Sequence, residues 1–141
     1  MKNLVILLFT AFVSSFAGAT NWVHVSTDAV AGKKKAYVDT DTVRAYDGYI
    51  ADRNYLGFKT PSYYISAFVK FTPLEKPKKT ITAQYVFNCK NHSSFPKSIV
   101  LELSNGQRER GDFNLIDSSQ FESIFPDTMH DNVAEFVCKF Q

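Results

Sequence analysis

Ile81-Thr82-Ala83-Gln84-Tyr85-Val86-Phe87-Asn88-Cys89 is the stretch whose reading decides the fold. Side chains of a strand point alternately to opposite faces. Ile81, Ala83, Tyr85, Phe87 and Cys89 therefore share one face, and Thr82, Gln84, Val86 and Asn88 the other. Cys89 points the same way as the core-forming residues. The only other cysteine, Cys138, lies near the end of a helical pattern from Thr128 to Phe140. If the two bond, the last helix is stapled to the inner face of a sheet and the chain between them is one closed loop.

The helical pattern is amphipathic. At 100° per residue Met129, Val133, Phe136, Val137 and Phe140 fall within one arc, and His130, Ala134 and Cys138 extend it on one side. Asp131, Asn132, Glu135 and Lys139 fill the rest. Thr128 is placed to cap the first turn, with Asp131 at the capping-box position. A helix this short is not stable alone and must dock.

The amino terminus has the layout of a secretory signal: Lys2, an apolar run from Leu4 to Val13, then Ala17-Gly18-Ala19 as a small-x-small cleavage site. Residues 1–19 are read as a cleaved signal peptide and 20–141 as a single domain, periplasmic or secreted. The apolar run is too short to span a membrane comfortably, so no stable insertion is expected after cleavage. In an oxidising compartment an isolated cysteine pair is most simply a disulfide. Metal binding and a reactive thiol are the alternatives. Cys89-Lys90-Asn91-His92 has C-x-x-H spacing, but a zinc site needs three or four ligands, and His24 and His130 join only if the fold gathers them.

The formal charge of +2 falls by one when Lys2 is lost, so no strong field for nucleic acid is expected. Lys33-Lys34-Lys35 and Lys76-Pro77-Lys78-Lys79 sit beside turn-forming residues and read as solvated loop tips.

The remaining elements follow from alternation and turn chemistry. Trp22 to Ser26 reads as the first strand and Ala36 to Asp39 as a short second one, with a turn from Thr40 to Arg44. Tyr46 to Thr60 reads as an irregular strand or hairpin. Between Tyr63 and Phe71, Tyr63, Ile65, Ala67, Val69 and Phe71 share one face, opposite Tyr64, Ser66, Phe68 and Lys70. Ser98 to Ser104 alternates and leads into Asn105-Gly106, a hairpin signal. A two-residue turn would oppose Glu102 to Glu109, which is unfavourable. A three-residue turn with Gly106 in the left-handed region opposes Glu102 to Arg108 and is preferred. Gln107 to Arg110 is then a charged edge. The fold class is α+β: a small antiparallel sheet with the C-terminal helix on its inner face, tied by one disulfide.

Several of these segments together resemble a known family. Trp22-Val23-x-Val25, Tyr37-Val38-Asp39-Thr40-x-Thr42-Val43, Tyr85-x-Phe87-x-Cys89, Asn105-Gly106, and Ile124-x-Pro126-Asp127-Thr128 leading to Glu135-Phe136-Val137-Cys138 resemble the bacterial surface-adhesin protein E family across nearly all of the mature chain. The resemblance implies a mostly antiparallel sheet with the terminal helix held on its concave face by Cys89–Cys138. It also implies a binding module for host extracellular-matrix and serum proteins. The chain departs from the family in lacking a lipid-attachment cysteine, and it carries extra residues between Val43 and Tyr63.

No catalytic constellation stands out. Ser93 and Ser94 follow His92, but adjacent residues rarely form a relay, and no Gly-x-Ser-x-Gly elbow, phosphate loop or H-E-x-x-H is present. Asp39 with Asp41 could be a carboxylate pair, and a turn before Thr42 explains them equally. The chain is read as a non-enzyme without a cofactor. Its binding candidates are the aromatics Tyr46, Tyr49, Tyr55, Tyr64 and Phe68, with Lys78 and Lys79, weighed against plain core packing. The leading reading is an exported module for a protein partner in the envelope or host matrix, with monomer and dimer both open. The alternative is a periplasmic small-molecule binder with a pocket between sheet and helix. A flat exposed patch favours the first, an enclosed cavity of about 300 Å³ or more the second.

Overall fold

The computed structural model describes residues 20–30, 33–51, 60–75, 79–114 and 116–141. Residues 1–19, read above as a signal peptide, together with Tyr55 and Lys78, lie outside the described residues. One curled half-barrel sheet dominates. Its strands run in the order β1 (Trp22–Asp28), β2 (Lys34–Ala45), β4 (Tyr64–Pro73), β5 (Thr80–Asn88), β6 (Ser93–Glu102) and β7 (Arg108–Asp112), each antiparallel to its neighbours. β3 (Ile50–Ala51) leaves this meander and pairs in parallel with β8 (Ile116–Asp117). A single 3₁₀ turn, Ser118–Gln120, follows, then β9 (Glu122–Ser123), which pairs with the start of β6. Helix α1 (Met129–Cys138) closes the chain. Among the described residues no helix is long and apolar enough to cross a membrane.

The expected two faces of β4 and β5 are each buried against a different layer. On the concave side Ala36, Val38, Ile65, Ala67, Val69 and Phe87 pack on Val133, Ala134 and Val137 of the helix. On the convex side Tyr64, Val86 and Phe95 pack under Tyr46, Ile50 and Ile116. This outer layer covers only one end of the sheet. There Tyr64, Ile65, Ser66 and Ala67 are buried in succession, although strict alternation would expose every second one. Beyond Phe68 the convex face is open.

Cys89 and Cys138 are bonded, with Cα atoms 5.7 Å apart. Thr128 caps the helix by accepting from the Asp131 N–H at 3.1 Å. Asp131 Oδ2 reaches one residue further back than a standard capping box and accepts from Asp127 N–H at 2.8 Å. The helix ends at Cys138, before the expected Phe140. Phe140 is half-exposed and stacks on Phe136, so the buried stripe centres on Val133, Ala134 and Val137.

Two expectations change. The anticipated turn from Thr40 to Arg44 is an irregularity inside one long strand. Pairing passes from Asp39↔Phe68 to Arg44↔Ser66, and Thr42 Oγ1 accepts from Phe68 N–H at 3.0 Å while donating to the Asp39 carbonyl at 2.7 Å. A side chain thus stands in for a ladder partner. β6 starts at Ser93, not Ser98, with Pro96 at a register shift where its missing N–H is tolerated. In the Tyr46–Thr60 region Ile50–Ala51 is strand and pairs with distant β8, and residues 52–59 lie outside the described residues. The β6–β7 turn is as expected: Glu102 faces Arg108, their side chains meet at 3.0 Å, and Gly106 has φ +83°.

Candidate functional site

Among the described residues the candidates do not assemble into one patch. Tyr46 and Tyr64 are 6% and 2% exposed and pack the outer core, so they offer no surface to a partner. Their bulk fills the space between the sheet and the β3–β8 layer. Tyr49 is exposed, Lys79 is exposed just ahead of β5, and Phe68 is half-buried on the convex face. Phe68 is thus the aromatic of the set that both lies on the sheet and remains reachable.

Strand register brings other residues beside it. Trp22, Asp39, Phe68, Gln84, Ser98 and Asp112 follow one another across the sheet, and His24, Tyr37, Lys70, Thr82, Val100 and Arg110 form the next row. Lys70 Nζ lies 4.3 Å from the Trp22 ring centroid and 5.5 Å from that of Tyr37. Its charge sits against π faces, an arrangement that also shields the apolar rings beneath it. Alternation places Lys70 with Phe68, but the meeting with Trp22 and Tyr37 depends on register across three strands. Beside this row lies a groove of about 490 Å³ floored by Phe68, Gln84, Ser98 and Val100. Arg110 at its wall is held by Asp112 at 2.8 Å.

A second groove, about 400 Å³ and open on one side, lies on the concave face at the start of the helix. Phe71, Ile81, Tyr85 and Met129 form its apolar lining, and His130 and Thr128 border it. Asp28 and Lys34, opposite one another in the β1–β2 ladder, stand at its mouth. Burial, aided by the charge of Glu122, raises the Tyr85 phenol above its usual range, so it remains a hydrogen-bond donor. Burial first, and His92 second, lower the His130 pKa, with Glu122 opposing. The ring is therefore neutral at neutral pH.

His130 Nε2 and Ser94 Oγ share a hydrogen bond of 2.7 Å, and His92 Nε2 donates to Asp131 Oδ1 at 2.6 Å. His92 thus turns to the helix, away from the adjacent serines. Ser94 is 5% exposed, and a serine so deeply placed is an anchor for the helix rather than a nucleophile a substrate can reach. Asp39 Oδ1 accepts from the backbone N–H groups of Asn21 at 3.1 Å and Asp41 at 3.2 Å, which is the turn-like role. Cys89 is committed to its disulfide, so the C-x-x-H spacing serves no metal. No protein-family model matches the chain, and neither a curated protein nor a solved structure matches it.

Proposed function

We propose that this chain is an exported, non-catalytic binding module of the surface-adhesin protein E type, and that it engages a protein partner through the open half of its convex sheet face. The observation that carries the reading is the Trp22–Lys70–Tyr37 cluster beside Phe68: half-buried aromatics and a lysine on the sheet face opposite the helix. Aromatic side chains bring large contact area at low entropic cost, and such residues are where interface energy concentrates. The export half of the reading rests on Lys2, the apolar run from Leu4 to Val13 and Ala17-Gly18-Ala19.

The test is capture of the mature protein by purified extracellular-matrix proteins and by envelope proteins, compared with Trp22→Ala and Lys70→Ala. Saturable binding that weakens about tenfold in each variant supports the reading. Binding that the variants leave intact removes the convex face from it. A second reading, a small ligand between sheet and helix, is favoured by the groove at Met129. The two are compatible, because the surfaces lie on opposite faces.

A further inference from the structure

The groove at the helix start differs from an ordinary gap between packed elements in one respect. Tyr85, partly buried on the concave face, has ring contacts with Phe71, Phe87 and His130, while its hydroxyl is not enclosed and has no hydrogen-bond partner among the described residues. A phenol hydroxyl left uncovered beside apolar side chains is free to donate to an acceptor that enters the groove. Here it borders a space of about 400 Å³, within the range of small-molecule sites.

We propose that this groove is a binding site for an uncharged small molecule with a planar or apolar body and one hydrogen-bond acceptor, and that acidification releases it. The proposal is independent of the partner-binding reading, since it uses the other face of the sheet. The apolar body lies between Phe71, Ile81 and Met129, and the acceptor meets the Tyr85 hydroxyl. A charged ligand is disfavoured because the inner lining offers no counterion: Asp28 and Lys34 face one another at the mouth and oppose each other in sign.

Release follows from what surrounds His130. Its ring lies 4.9 Å from Tyr85 and 5.8 Å from Phe87 on β5, and it is bonded to Ser94 on β6. His92 approaches from the β5–β6 turn, Glu122 from β9, and Asp131 is next on the helix but occupied by His92 and Asp127. Asp28 and Lys34 lie across the groove. A proton on His130 therefore enters a mostly apolar setting, beside another histidine and at the positive end of a helix. An apolar ligand covering the ring makes that proton costlier still, so by linkage the protonated protein binds the ligand less well.

The experiment uses the oxidised mature protein and the neutral fluorescent probe 6-propionyl-2-(dimethylamino)naphthalene, whose ketone oxygen is the acceptor. An anionic naphthalene sulfonate and a cationic dye serve as comparisons. Expected is one-to-one binding of the neutral probe at about pH 7.5, weakening about tenfold by about pH 5, with the charged probes bound more weakly. Met129→Trp and, from the opposite wall, Ile81→Trp fill the groove and abolish binding. Folding of each variant is checked by near-ultraviolet circular dichroism. In His130→Gln the ratio of affinities at the two pH values falls to near one, whatever its absolute affinity. No binding at neutral pH, equal binding of the charged probes, or binding untouched by both tryptophans overturns the site. A steep pH dependence that survives in His130→Gln overturns the release mechanism.

Discussion

Asn132 of the helix donates its side-chain amide to Ser26 Oγ at 3.0 Å, joining residues 106 positions apart. The contact is one sign of how the helix is held: it spans from β1, the first strand, to the disulfide just past β5. Between those ends its stripe of Val133, Ala134 and Val137 is fully buried. The anchors are unequal, covalent at Cys138 and polar at His130, Asp131 and Asn132.

The covalent anchor has a measurable stability. Cys89–Cys138 closes a loop with a sequence separation of 49. In the chain-entropy account a loop of that size contributes about 4 kcal/mol. Urea unfolding of Cys89→Ala/Cys138→Ala, compared with the oxidised protein, is expected to show a loss of roughly 3–5 kcal/mol. A loss under about 1 kcal/mol would mean the helix is held by packing alone.

Gly106 and Gly111 make a paired test of the β6–β7 hairpin. Neither has an atom within 4 Å of an added Cβ, so substitution causes no clash at either site. Gly106 alone of the two has a left-handed backbone, φ +83°. Gly106→Ala should lower stability by about 1 kcal/mol through strain. Gly111→Ala should change it by less than about 0.5 kcal/mol in either direction. Equal effects at the two positions would contradict the three-residue turn.

Asp39 is 3% exposed and satisfies two backbone N–H groups. Asp39→Ala removes a charged acceptor shared by two partly buried backbone donors, at about 1–3 kcal/mol. Asp39→Asn keeps one acceptor oxygen and should lose less. A fully tolerated alanine, judged by thermal melting, would refute the bonding scheme at the β2 irregularity.

Acid should weaken the polar anchor. The folded state prefers His130 neutral, so the unfolded chain takes up that proton first as pH falls. The stabilisation from the neutral ring is complete above the ordinary histidine value of about 6.5 and is lost as pH drops from there toward the depressed folded value. Stability measured between about pH 7.5 and pH 5 should therefore fall more steeply for the native protein than for His130→Gln. Parallel curves would show that this ring does not set the acid response.

Much of the sheet could be read from residue order because its determinants are local. β4 and β5 alternate cleanly, and Asn105-Gly106 has few turn conformations open to it. The helix was readable for the same reason, though its buried stripe turned toward Ala134 because the helix stops at Cys138. Where tertiary contacts decide, the pattern misled. Asp39-Thr40-Asp41-Thr42 has turn chemistry, yet flanking pairing carries it through as strand, with the Thr42 hydroxyl replacing a backbone partner. Two-residue strands such as β3 and β8 have no period to detect.

The binding surfaces were less accessible to such reading. Residue type does not say whether a tyrosine is covered: Tyr46 and Tyr64 are core while Tyr49 is exposed. Phe68 and Lys70 could be placed on one face by alternation, but their neighbours come from β1 and β2 through register. The groove beside Met129 depends on how far the sheet curls around a helix that fills only part of it.

A last consequence concerns the order in which the polypeptide emerges during synthesis. The strands that α1 covers are made before the segment that shields them. Through most of translation the lining formed by Ala36, Val38 and Val69 has nothing to rest against, and Cys89 waits as a thiol for a mate that is still to be added. A nascent chain of this design is committed to arriving whole, and oxidation of its single cystine records that the final helix has been delivered.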